Sequence, residues 1–121
     1  MTVSTNYQGI TARRAGKSVE SRVVYAGSRL LARRSDLRDY GDGPFDWGRP
    51  TDGALALALA MLADHFDDAT AVEWHRAFCR EVIAAADPRC RRWLLGGMEI
   101  DQWRDGMAIA LIDVSAVEAS A

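Results

Sequence analysis

The sequence predicts a small α+β domain in which a short antiparallel sheet packs on an antiparallel pair of helices. Three observations carry this prediction. Leu55, Leu59, Leu62 and Phe66 recur at i, i+4, i+7 and i+11, one face of a helix. Ala69 to Ala86 repeats the helical period, with Ala71, His75, Phe78 and Val82 on one stripe. Strand-forming segments flank the pair, Val23-Val24-Tyr25 before it and Trp93-Leu94-Leu95 after it. At 121 residues the chain is one domain long. Its 49% hydrophobic and 26% charged residues are the balance of a chain that buries its own core, which excludes a disordered or coiled-coil array.

The elements follow in order. Residues 1–21 are polar and small with no sustained period, and read as a flexible N-terminal arm with a short strand near Tyr7 to Thr11. Arg22 to Arg33 opens the folded domain, residues 22–114. Gly27 interrupts its strand formers before Leu30 and Leu31 resume them, so it is a strand with a glycine bend or a hairpin turning at Ala26 to Ser28. Asp36 to Asp52 is loop, punctuated by Gly41-Asp42-Gly43-Pro44. Phe45 and Trp47 are too apolar to stay solvated and anchor this loop on the core.

Thr51 and Asp52 are both candidate caps for the first helix, Gly53–Phe66. Ala54, Ala56, Ala58 and Ala60 let another element approach it closely. Asp67, Asp68 and Thr70 end it and cap its successor. Asp87-Pro88 stops the second helix, because proline pushes the preceding residue out of helical geometry. Trp93 to Leu95 is a short strand, Gly96-Gly97 a turn, and Glu99 to Arg104 a short helix with Ile100 and Trp103 on one side. Met107–Val114 is apolar and partly β-branched, a strand or a homodimer contact, and residues 115–121 read as a frayed tail.

Several chemistries are excluded or disfavoured by spacing. No apolar run approaches the roughly 20 residues of a membrane helix. Met1 to Gly16 holds no signal-peptide core, so the expected compartment is the cytoplasm, with Cys79 and Cys90 as thiols. No phosphate-binding loop spacing occurs. His75 and Cys79 sit at i and i+4 and are within reach of one metal or of each other as base and nucleophile, yet they lie on the apolar stripe of a helix. Asp64, Asp67 and Asp68 stand at a helix end, where capping and solvation account for them. The expectation is no catalytic residue, no metal and no cofactor, hence no enzyme, with a small enzyme at His75 and Cys79 as the remotest reading.

Charge is uneven. Through Pro44 the chain carries eight cations against four carboxylates, a net of +4, which leaves −6 for the rest of a chain whose total is −2. Arg33, Arg34 and Arg38 with Tyr40 form one basic and aromatic patch, and Arg89, Arg91 and Arg92 a second. Such patches bind phosphate only if several share a face. Arg29, just past the strand bend, is expected to pair with Asp46 or Glu81 inside the fold, with an anionic partner as the alternative. Trp47, Trp74, Trp93 and Trp103 anchor a core or an interface; Trp74, at the edge of the buried stripe, is the one expected at the surface.

Tyr25-x-Gly27-x-Arg29, Phe45-x-Trp47-Gly48, the Gly53–Ala60 alanine–leucine helix, Phe78-x-x-Glu81, Trp93-x-Leu95 and Ile100-x-x-Trp103 occur in that order. This order resembles a family of short bacterial and phage proteins of unknown function, over about Val23 to Trp103. The resemblance implies an α+β fold and frequent occurrence on phage or mobile DNA. It implies no activity and lends no catalytic residue. The functional expectation is therefore a non-enzymatic protein-interaction module. One concrete form is an anti-CRISPR-like inhibitor that sets its acidic body against a basic channel in a host defence nucleoprotein complex. The alternative is a nucleic-acid accessory protein using the arginines. Residues expected to meet a partner are Arg33, Arg34, Arg38, Tyr40, Trp74, Arg91 and Arg92.

Overall fold

The computed structural model describes residues 5–13 and 20–114. The elements are β1 (Asn6–Arg13), β2 (Glu20–Ala26), β3 (Arg29–Leu30), α1 (Asp52–His65), α2 (Asp68–Phe78), a π-helical turn (Cys79–Ile83), β4 (Arg92–Gly96), α3 (Gly97–Arg104) and β5 (Ile112–Asp113). The five strands form one sheet in the order β3-β2-β1-β4-β5, and every neighbouring pair is antiparallel. The helices cover one face, so the predicted α+β class holds.

The strand expected near Tyr7 to Thr11 is present, longer, and central: β1 pairs with β2 on one side and β4 on the other. Residues 6–13 therefore do not belong to a flexible arm. The polar appearance of this segment comes from alternation. Tyr7 and Gly9 are buried on the helix side, while Gln8 and Ile10 point to the other face. The remainder of the expected arm, outside residues 5–13 and 20–21, lies outside the described residues, as does the expected tail at 115–121. Gly9 is a glycine because Trp93, its cross-strand partner, lays its indole over it. A Cβ at Gly9 would come 2.2 Å from that ring.

The hairpin reading of Ala26 to Ser28 is the correct one: Gly27 and Ser28 link β2 to β3. Thr51 caps α1 by accepting the Ala54 N–H at 3.3 Å. Ala54 and residues 56–62 are all buried, which places α1 in the middle of the molecule and explains its run of alanines. Asp67 caps α2 through the Thr70 N–H at 2.7 Å. Phe45 and Trp47 are buried, as an anchored loop requires.

Two further elements differ from expectation. The second helix is α-helical only to Phe78, then widens into the π-helical turn that ends with the Ala84 N–H on the Cys79 carbonyl at 2.7 Å. The widened turn buries Cys79, Val82 and Ile83 together. It also offers the Ile83 carbonyl to the Gly48 N–H at 2.9 Å. Met107–Val114 yields a strand only at Ile112–Asp113, because the preceding residues cover the core instead: Leu111 is buried and Ile109 packs on the cluster.

Candidate interaction surface

The partner residues read from the sequence fall in three places. The first is the segment 31–51, which runs from the sheet edge to the start of α1. Arg33 donates to the Gly43 carbonyl and lies 6.0 Å above the Phe45 ring. Arg34 grips Asp36 at 2.9 Å and Asp68 at 3.1 Å, tying the segment to the first turn of α2. The Tyr40 hydroxyl meets Nε2 of the buried His75 at 2.8 Å. Nδ1 of His75 faces the Ala71 carbonyl at 2.8 Å. A carbonyl only accepts, so Nδ1 carries the proton and Nε2 accepts from Tyr40. Burial pushes the imidazole below its ordinary pKa; the hydrogen bonds to Ala71 and Val72 oppose this, and the charges of Arg76 and Arg38 reinforce it. Arg38 itself is exposed.

His75 and Cys79, read from the sequence as core residues with a shared metal or a nucleophile pair only as remote alternatives, are both buried. Both ring nitrogens are engaged, and burial pushes the Cys79 thiol up to about 11. Cys79 and Cys90 are free and buried. Among the described residues no group of three or more His, Cys, Asp or Glu is placed to hold a metal ion.

The second place is the junction of α2 and α3. Trp74 is 43% exposed, whereas Trp47 and Trp93 are fully buried and Trp103 is 8% exposed. Trp74 stands edge-on to Trp103 with centroids 6.2 Å apart, and Trp103 in turn meets Phe78 at 4.9 Å. The Trp103 indole N–H donates to Glu81 at 3.2 Å. Trp74 is thus the outer rung of an aromatic ladder rooted in the core. Val72 on the same helix and Met107 just past α3 are also exposed.

The third place is the start of β4. Arg91 is exposed, and its carbonyl accepts the Thr11 N–H at 2.7 Å. Arg92 lies on the sheet face away from the helices, over Gln8, whose amide oxygen when turned toward it accepts from the guanidinium. The seven residues do not form one patch.

Two arginines outside that set or assigned elsewhere organise the fold. Arg29 pairs with Asp64 at 2.8 Å, and not with Asp46 or Glu81. It sits opposite Ala26 at the sheet edge, beside the last turn of α1. The Tyr7 hydroxyl donates to the other Asp64 oxygen at 2.7 Å. Burial alone would raise the Asp64 pKa; the bonds from Arg29 and Tyr7 outweigh it and hold the carboxyl below its ordinary range. Asp46 is taken instead by Arg22, at 2.7 Å. Arg22 also donates to the Trp47 carbonyl at 2.7 Å and the Pro88 carbonyl at 2.5 Å, with its guanidinium 4.4 Å over the Trp47 ring. Its signal lay in strand parity: Arg22 shares the face of buried Val24 and Ala26, and a cation on that face must find acceptors. Beside it opens a cleft of about 550 Å³ lined by Phe45, Asp46, Arg49 and Thr51 among others. Its acids and bases are largely satisfied by each other, since Asp46 also accepts from Thr51 at 2.8 Å and faces Arg49 at 3.7 Å.

A helix pair on one side of a five-stranded antiparallel sheet, with its long loop stitched down by Arg22, defines a small two-layer α+β domain. The chain belongs to the family of unknown function DUF6166, which its residues 10–106 match. No curated protein and no solved structure matches it. Among the described residues no helix is long and apolar enough to cross a membrane.

Proposed function

We propose that the protein is a non-enzymatic interaction module that binds another protein through the surface around Trp74. The observation that carries this reading is the exposure of that one tryptophan, at 43%, while the other three are buried. An indole held rigid by Trp103 loses little freedom on binding and offers a large apolar area, the profile of an interface anchor. The arginine reading has less support, because Arg33 and Arg34 spend their guanidinium groups on Gly43, Asp36 and Asp68.

The test is capture of partners by tagged wild-type protein and by Trp74→Ala, with and without nuclease. A protein bound by the wild type and weakened at least about tenfold by Trp74→Ala is the expected result. Equal capture by both removes Trp74 from the interface. A partner set that disappears with nuclease supports the nucleic-acid reading instead. The narrower expectation of a defence nucleoprotein complex as the target is read from the identity of the captured protein.

A further inference from the structure

The sheet has a second face, and nothing in the described fold covers it. Side chains alternate along a strand, so the register decides which residues share that face. Leu30 lies opposite Tyr25, Tyr25 opposite Gln8, Gln8 opposite Leu94 and Leu94 opposite Ile112. This row crosses all five strands. Leu30, Leu94 and Ile112 are 60%, 50% and 64% exposed. Val23 and Ile10 stand beside it in the next row, opposite each other, with Arg92 opposite Ile10.

We infer that this open sheet face is a homodimer interface, covered by the same face of a second copy of the chain. Three features select a second copy. The row is apolar at both ends and carries an amide at its centre. A two-fold axis along β1 therefore sets Leu30 against the partner copy's β5 and Gln8 against its counterpart, and an amide both donates and accepts. Among the described residues Arg92 is the only charge on the face, and it lies one strand away from that axis, so the two copies do not bring like charges together. The area is sufficient. Four strand spacings of ~4.8 Å and a comparable length give a face of roughly 400 Å² in projection, and more as accessible surface. Two such faces bury on the order of 1,000–1,500 Å², where stable interfaces begin. The edge strands β3 and β5 are only two residues long, so stacking on the face, not strand addition at an edge, is the available mode. Met107–Val114, read from sequence as a strand or a homodimer contact, contributes Ile112 to this face.

Sedimentation velocity on the full chain tests the inference. The wild type is expected at twice the 13.3 kDa chain mass at micromolar concentration. Leu94→Asp is expected to sediment as a monomer with an unchanged far-UV circular dichroism spectrum. Leu30→Lys, at an exposed sheet edge, is the second variant should Leu94→Asp fail to fold, and it should weaken the dimer at least about tenfold. Trp74→Ala should remain dimeric, which separates this surface from the one proposed above. A monomeric wild type at about 100 μM, or a dimer unaffected by either substitution, overturns the inference.

Discussion

His75 shows how a single buried side chain is used. It holds its proton on Nδ1 for the Ala71 carbonyl and accepts from Tyr40 on Nε2, so the neutral ring satisfies both neighbours. Protonation would bury a cation and oblige the Tyr40 hydroxyl to turn and accept. Its folded pKa lies below the ordinary value of about 6.5, chiefly through burial. A depressed folded pKa means that the unfolded chain binds the extra proton first. The contribution is complete above about pH 6.5 and is lost as the pH falls toward the folded value. The urea midpoint should therefore drop between pH 7.5 and pH 5.5, and His75→Gln should show a smaller drop over the same interval. A histidine on an apolar helical stripe was legible as a core residue. Its partner was not, because Tyr40 lies 35 positions away in a loop whose path no local pattern encodes.

At the scale of elements, the joint between the Phe45–Gly48 loop and the end of the second helix sets the shape of one side of the fold. Gly48 adopts φ +84°, and a Cβ there would fall 2.3 Å from the Pro88 Cα. Its N–H holds the last carbonyl of the π-helical turn. Gly48→Ala combines left-handed strain with a backbone clash and should cost roughly 2–4 kcal/mol by denaturant unfolding. A cost under about 1 kcal/mol would show that the joint yields. The helices, the β2–β3 hairpin and the anchoring of Phe45 and Trp47 were legible from period and turn chemistry. The π-helical turn was not. It inserts one residue into a helix whose apolar stripe stays continuous, so Val82 and Ile83 look the same in either geometry. The partner of Arg29 was also hidden, since Asp64 was accounted for as part of a solvated helix end.

For the whole molecule, the decisive feature is the central place of β1. Every other strand is reached through it or through its two neighbours, and Tyr7 joins it to α1 through Asp64. The β1 amides should therefore exchange with solvent only when the whole domain opens. Native-state hydrogen exchange should give Tyr7, Gly9 and Thr11 the same opening free energy as Leu59 in α1. Faster exchange confined to β1 would show that the strand detaches by itself. The sequence showed only a short strand near Tyr7 to Thr11 inside an arm, because half of its residues face outward and one inward position is a glycine. Alternation along so polar a strand carries little signal until its partners are known. The candidate interaction residues were legible one at a time, Trp74 above all, but their dispersal over three places follows from the fold alone.

The sheet order also fixes when the protein can be completed during its own synthesis. β1 and β2 are made before the helices, whereas β4, the other neighbour of β1, begins 66 positions after the end of β2 at Ala26. At roughly 5–20 residues per second, that interval lasts about 3–13 s. Until α1 emerges the β1–β2 hairpin has Tyr7 and Val24 uncovered on one side, and until β4 emerges the other edge of β1 stays unpaired. The nascent chain thus carries a β-ribbon with one open edge, which closes only when Trp93 arrives over Gly9.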